Sequence, residues 1–137
     1  MQSEIAGTAA PTGSPVPKGI SVSQSQLDVA SKDGSDFLHS NMNCEQTHHC
    51  PAWQINTDNV GKLKSAFIFE TEALRSMETA PIVVDGIVYL TTWHHHVYGL
   101  DAVAGKEFWH TKHKMSAVTT YCCGSNNRGV AIMRDKL

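Results

Sequence analysis

The sequence predicts an all-β chain built on one antiparallel meander of four short strands, preceded by an irregular leader. Two observations carry this. From Lys64 onward apolar residues recur with a period of two, the spacing of a strand with two different faces. Further on, Asp85-Gly86 separates two β-branched runs, Ile82-Val83-Val84 and Ile87-Val88-Tyr89-Leu90-Thr91-Thr92, and this is the strongest short hairpin signal.

The elements follow in order. Residues 1–36 are rich in Ser, Gly, Pro, Ala and Gln, and Pro11, Gly13, Pro15, Pro17 and Gly19 interrupt any regular element. This stretch reads as a flexible leader or linker. Residues 37–137 read as the ordered part. Within it, Ile55–Leu63 predicts a short helical turn, with Asn56 or Thr57 as its cap and Val60 and Leu63 on one face. Lys64–Glu70 predicts a strand with Ala66, Ile68 and Glu70 on one side and Ser65, Phe67 and Phe69 on the other. The Asp85-Gly86 hairpin comes next, then a third strand at His96–Asp101, a turn at Ala104-Gly105-Lys106, and a fourth strand at Glu107–His110. Gly129–Met133 begins another strand, and Asp135-Lys136 resembles the turn of a further hairpin. Four strands in fewer than about 35 residues make a unit the size of one propeller blade. A single blade cannot cover both of its faces, so the chain is expected to be a fragment of a longer protein.

Composition narrows the function. The 137 residues are 41% hydrophobic and 18% charged, with a formal net charge of −2. That balance gives no electrostatic case for nucleic acid or a basic membrane surface. No apolar run approaches the ~20 residues of a transmembrane helix, and no basic, apolar secretory signal opens the sequence.

Chemistry-bearing side chains concentrate in two places. Cys44 and Cys50 flank His48 and His49. Thiolate and imidazole both bind zinc, but this spacing matches no strong zinc signature. A loop disulfide, Cys44–Cys50, is the simpler reading. The second place is Tyr121-Cys122-Cys123-Gly124-Ser125-Asn126-Asn127-Arg128-Gly129. The Cα atoms of adjacent cysteines lie about 3.8 Å apart, below the usual disulfide range of about 4.4 to 6.8 Å. A Cys122–Cys123 bond would therefore be strained, close almost no loop, and serve as a hard, flat, polarizable surface. Two reduced cysteines at a strand start are the other reading. His94, His95 and His96 would alternate faces in a strand, so at most two of them converge on one ion, and no metal role is assigned to them.

Three segments carry a family resemblance. Gly99-Leu100-Asp101-Ala102-Val103-Ala104-Gly105-Lys106-Glu107-Phe108-Trp109 resembles the tryptophan-docking motif of quinoprotein dehydrogenases, usually Ala-x-Asp-x-x-Thr-Gly-x-x-x-Trp. Gly99 and Ala104 are the departures. Residues 77–89 are similar to that family's first-blade hairpin. Cys122-Cys123 with Asn127-Arg128-Gly129 resembles the cofactor-facing segment of the methanol and ethanol dehydrogenases dependent on pyrroloquinoline quinone (PQQ). The resemblance covers about residues 36–137. It implies the first blade, and the start of the next, of an eight-bladed propeller.

The resemblance also implies roles. A vicinal Cys122–Cys123 disulfide would lie against one face of PQQ. Arg128 would meet the cofactor's carboxylates, for which a forked guanidinium is suited. Glu78 would hydrogen-bond the cofactor, and Asn126 would meet it through its backbone, so its side chain is expected to matter less. Trp109 fits the inter-blade docking role, while Trp53, Trp93 and Trp109 do not match the family's cofactor-stacking tryptophan. No catalytic residue and no metal ligand is assigned within this chain; the ligands of a calcium or lanthanide ion, and the general base, are expected downstream of Leu137. The implied activity is oxidation of a primary alcohol to an aldehyde in the periplasm. In it the metal acts as a Lewis acid, hydride passes to the quinone, and electrons leave to a cytochrome c. A homodimer of the complete protein is a further expectation. A non-catalytic propeller scaffold is the alternative that the docking motif alone permits.

Overall fold

The computed structural model describes residues 19–74, 77–114, 116 and 124–137. Its centre is a four-stranded antiparallel sheet in sequential order: β1 (Ile82–Val84), β2 (Ile87–Thr92), β3 (His96–Asp101) and β4 (Glu107–Lys112). The expected meander is therefore present. Val84 faces Ile87 across the first turn, and Asp85 and Gly86 take φ of 48° and 75°, the double left-handed conformation of the tightest hairpins. Between β3 and β4 the register shifts beside Gly99 and Leu100. There the Trp109 indole lies directly on Gly99, and a Cβ at that position would press on the ring at 2.5 Å. This accounts for Gly99 where the docking motif usually carries Ala.

One face of the sheet presents Ile82, Val84, Ile87 and Tyr89. They form the core with Val22, Ala30, Leu38 and Ile132. Four of these eight residues come from outside the meander, so this face is not bare. The part of the expected leader that is described, residues 19–36, is folded onto the sheet. Ser23 caps a helix, α1 (Gln24–Val29), through a reciprocal capping box with Gln26. Val22 is 1% exposed and exchanges backbone hydrogen bonds with Arg134 at 2.9 and 2.6 Å. Phe37 pairs with Val83 through two backbone hydrogen bonds of 2.8 and 2.9 Å, which covers the outer edge of β1. Residues before and after position 36, Val22 and Ala30 with Leu38 and Ile82, thus share one core cluster. The Pro- and Ser-rich composition hid an apolar series, Ile20, Val22, Leu27 and Ala30, that packs on or within the core.

The opposite face carries Tyr98, His96 and His110, under the segment 64–72. Phe69 meets Tyr98 edge-on with ring centroids 5.3 Å apart, and Phe67 packs on Gly105. Ile68 points to solvent. The predicted alternation is therefore right, but the predicted strand is not formed: the segment takes no strand structure and pairs with no neighbour among the described residues. Its hold on the sheet is through side chains. The predicted helical turn at 55–63 is a 3₁₀ turn, Val60–Lys62. The strand expected at 129–133 is reduced to isolated bridges, Ala80 with Gly129 and Met133 with Lys136.

His96 is buried. Its Nδ1 lies 2.9 Å from His110 Nε2 and 3.2 Å from the Tyr98 hydroxyl. Burial pushes its pKa below the usual histidine value, the nearby Lys112 charge and the His110 ring push the same way, and Glu72 opposes them. The folded state thus holds His96 neutral where the unfolded chain would protonate it. This stability is present above about pH 6.5 and is lost as pH falls through the folded-state pKa. Melting temperature should drop as pH is lowered from 7.5 to 5, and His96→Gln should flatten that dependence. An equally steep fall in the variant would assign the effect elsewhere.

Candidate functional site

At the end of the sheet where β1 enters and β2 turns into β3, three stretches meet: residues 77–81, the turn Trp93–His95, and residues 124–129. Each is pinned to the next by backbone. The Ala80 N–H donates to the Arg128 carbonyl at 3.0 Å, and Ala80 and Gly129 form a parallel bridge. Gly129 has φ 132°, and a Cβ there would sit 2.7 Å from the Ala80 carbonyl oxygen. Only glycine allows this approach. The Asn127 Oδ1 accepts from the Gly129 N–H at 2.9 Å and closes the turn. On the other side, Thr79 and Thr91 share a hydroxyl hydrogen bond of 2.9 Å, tying the segment that carries Glu78 to β2.

This scaffold brings together three of the residues expected at a cofactor. The Asn126 Nδ2 donates to Glu78 Oε1 at 2.9 Å. The Arg128 Nε stands 3.5 Å from Glu78 Oε2, with side chains 86% and 45% exposed. The Asn126–Glu78 hydrogen bond joins residues 48 positions apart in sequence. The Asn126 Oδ1 is buried and has no hydrogen-bond partner among the described residues. An exposed ion pair contributes only about 0 to 1 kcal/mol. Fold stability is therefore a weak reason for this arrangement, while an exposed guanidinium and carboxylate beside an unsatisfied acceptor suit a polar ligand.

Cys122 and Cys123 lie outside the described residues. Gly124, the next residue, packs against the ring of Trp93. The turn under it departs from the strand expected through His94-His95-His96. His94 and His95 have φ of 62° and 57°, a left-handed conformation that costs non-glycine residues on the order of 1 to 3 kcal/mol each. His96 alone belongs to β3. Sequence reasoning assigned no role to Trp93 or Thr79. The one local signal near Trp93 is the following His-His-His run, too polar to continue a buried strand, and Thr79 carries none.

Cys44 and Cys50 are free cysteines in this structure. Their loop takes its shape from its own hydrogen bonds. The His48 N–H donates to the Asn41 carbonyl and the Gln46 N–H to the Asn43 carbonyl, each at 3.1 Å. Thr47 N–H donates to Asn43 Oδ1 at 3.1 Å, and Asn41, Met42, Gln46 and His48 all take positive φ. Among the described residues, no three His, Cys, Asp or Glu side chains are grouped to hold a metal ion. No helix among them is long and apolar enough to cross a membrane.

Comparison with known proteins bears directly on this site. The family model described as "PQQ: Glucose/ethanol/alcohol dehydrogenase, beta-propeller domain" matches residues 39–137. The quinoprotein ethanol dehydrogenase of Pseudomonas aeruginosa is 36% identical over 114 residues, covering 80% of this chain and 18% of that protein. The 1-butanol dehydrogenase (quinone) of Thauera butanivorans is 30% identical over 139 residues, covering 100% of this chain and 22% of its own length. Among solved structures, the quinohemoprotein alcohol dehydrogenase from Comamonas testosteroni superposes with a TM-score of 0.77 at 28% identity, over 82% of this chain and 17% of that one. A europium-containing methanol dehydrogenase gives 0.71 at 33% identity, over 79% and 20%. The chain thus spans about a fifth of the length of these relatives. By the match of residues 39–137, which include Glu78, Asn126 and Arg128, the chain belongs to the PQQ-dependent glucose, ethanol and alcohol dehydrogenase family, within its β-propeller domain.

Proposed function

We propose that this chain is the N-terminal portion of a PQQ-dependent alcohol dehydrogenase and forms one flank of its PQQ site. The observation that carries this is the convergence of Glu78, Asn126 and Arg128 from two distant segments inside the family-matched span. The residues fit the group. PQQ carries three carboxylates, and the Arg128 guanidinium is exposed and suited to a forked, charge-assisted bond with one of them. The unpartnered Asn126 Oδ1 accepts from an N–H donor. Glu78, held by Asn126, adds a carboxylate acceptor and fixes the guanidinium beside it. Cys122 and Cys123, bonded to each other, supply a flat surface for the ring system.

Bound PQQ supplies a two-electron acceptor for the oxidation of a primary alcohol to an aldehyde. This chain binds and orients the cofactor. The general base, the stacking tryptophan and the oxygen ligands of a calcium or lanthanide ion belong to sequence beyond Leu137. A propeller of eight blades, a periplasmic location, a cytochrome c acceptor and a homodimer complete the proposal. Relatives named as a lanthanide-dependent methanol dehydrogenase and a quinohemoprotein alcohol dehydrogenase support the metal and the substrate class.

The test is an alcohol-oxidation assay on the full-length protein with an artificial electron acceptor. Turnover should require both added PQQ and calcium or a lanthanide, and residues 1–137 alone should show none. PQQ-independent turnover would overturn the assignment. Peptide mapping of periplasmic protein without reductant should recover Cys122 and Cys123 in one internally oxidised peptide; two free thiols would remove the disulfide from the site.

A further inference from the structure

We infer that Trp93 is a positioning residue for the cofactor-facing segment, acting through Gly124 and Asn126. This rests on the PQQ reading above and adds a residue to it. Trp93 is half-buried, yet its ring is not part of the core cluster on the sheet. Its neighbours are Gly124, on whose Cα hydrogens the six-membered ring lies, and His94, edge-on with centroids 5.6 Å apart. Gly124 has φ 94°, and a Cβ there would overlap that ring. One residue on, the Ser125 carbonyl accepts from the His94 N–H at 3.3 Å, and Ser125 is buried. Asn126 comes next, with its amide on Glu78 at 2.9 Å.

The chain of contacts is continuous. The turn Trp93–His95 takes two left-handed residues, and this turn presents both the indole and the His94 N–H to the same neighbouring segment. The indole fixes the height at which Gly124 passes, and the N–H fixes Ser125 along the chain. Asn126 then reaches Glu78, which stands beside Arg128. Removing the ring frees the segment on one side only, and the Glu78–Asn126–Arg128 geometry loosens without loss of core packing.

A double-mutant cycle in the full-length protein tests this, read by PQQ titration and by thermal melt. Trp93→Ala should weaken PQQ binding about tenfold, a difference of about 1.4 kcal/mol, and Trp93→Phe should recover part of the loss. Gly124→Ala should weaken binding in the wild-type background and cost less in the Trp93→Ala background, because the ring it would strike is gone. Should Trp93→Ala fail to fold, the same cycle is run with Trp93→Leu. A merely structural Trp93 would lower the melting temperature and leave the PQQ dissociation constant unchanged, and that result, or strict additivity in the cycle, overturns the inference. Arg128→Ala is the control: if it weakens binding while the Trp93 variants behave as wild type, only Trp93 is excluded. A wild-type protein that does not bind PQQ overturns the cofactor reading itself.

Discussion

Arg128→Ala will weaken PQQ binding by the full-length protein by roughly ten- to a hundredfold. The guanidinium is exposed, stands 3.5 Å from Glu78, and is the one cation of the Glu78–Asn126–Arg128 patch. A hydrogen bond to a charged group contributes roughly 1.5 to 3 kcal/mol, which gives that range. Its loss also leaves the Glu78 carboxylate without a compensating cation beside a tricarboxylate ligand, so the effect should lie toward the upper end at low salt. Arg128→Lys should restore only part, because the charge returns but the fork does not. Equilibrium titration of PQQ checks this, and an unchanged dissociation constant for the alanine variant would take Arg128 out of the site.

Ile82→Ala will destabilise the protein by about 2 to 5 kcal/mol, the range for deleting most of a buried aliphatic side chain and leaving a cavity. Ile82 is 0% exposed, faces Tyr89 across the β1–β2 ladder, and sits in the cluster shared by Val22, Ala30 and Leu38. Collapse into the space is hindered because the surrounding side chains come from three separately anchored segments. Val88→Ala, on the other face and half-buried, should cost distinctly less. Chemical denaturation of the two variants compares them, and equal losses would show that Ile82 is not central to the core.

The meander was legible because its signals are local: Asp85-Gly86 selects one turn, and period-two runs set the faces. The helix at Gln24–Val29 was equally local, with a Ser23–Gln26 capping box, but composition outweighed it. For segment 64–70 the sequence predicts the faces correctly but not the absence of a strand, since alternation reports which side is buried and says nothing of a hydrogen-bonded partner. For the proposed site, Glu78, Asn126 and Arg128 are singled out by the family resemblance, and their residue types fit a tricarboxylate. The Asn126 amide on Glu78 is not, because it depends on two segments meeting across 48 positions. The role inferred for Trp93 is hidden for the same reason: it rests on a contact with Gly124, which nothing in either local sequence announces.

The central claim is that this chain holds PQQ through Glu78, Asn126 and Arg128. A crystal structure of the full-length protein soaked with PQQ tests it most directly. It should show one PQQ carboxylate within hydrogen-bond distance of the Arg128 guanidinium, with Glu78 and Asn126 lining the same edge. PQQ bound with no contact to these three side chains would contradict it.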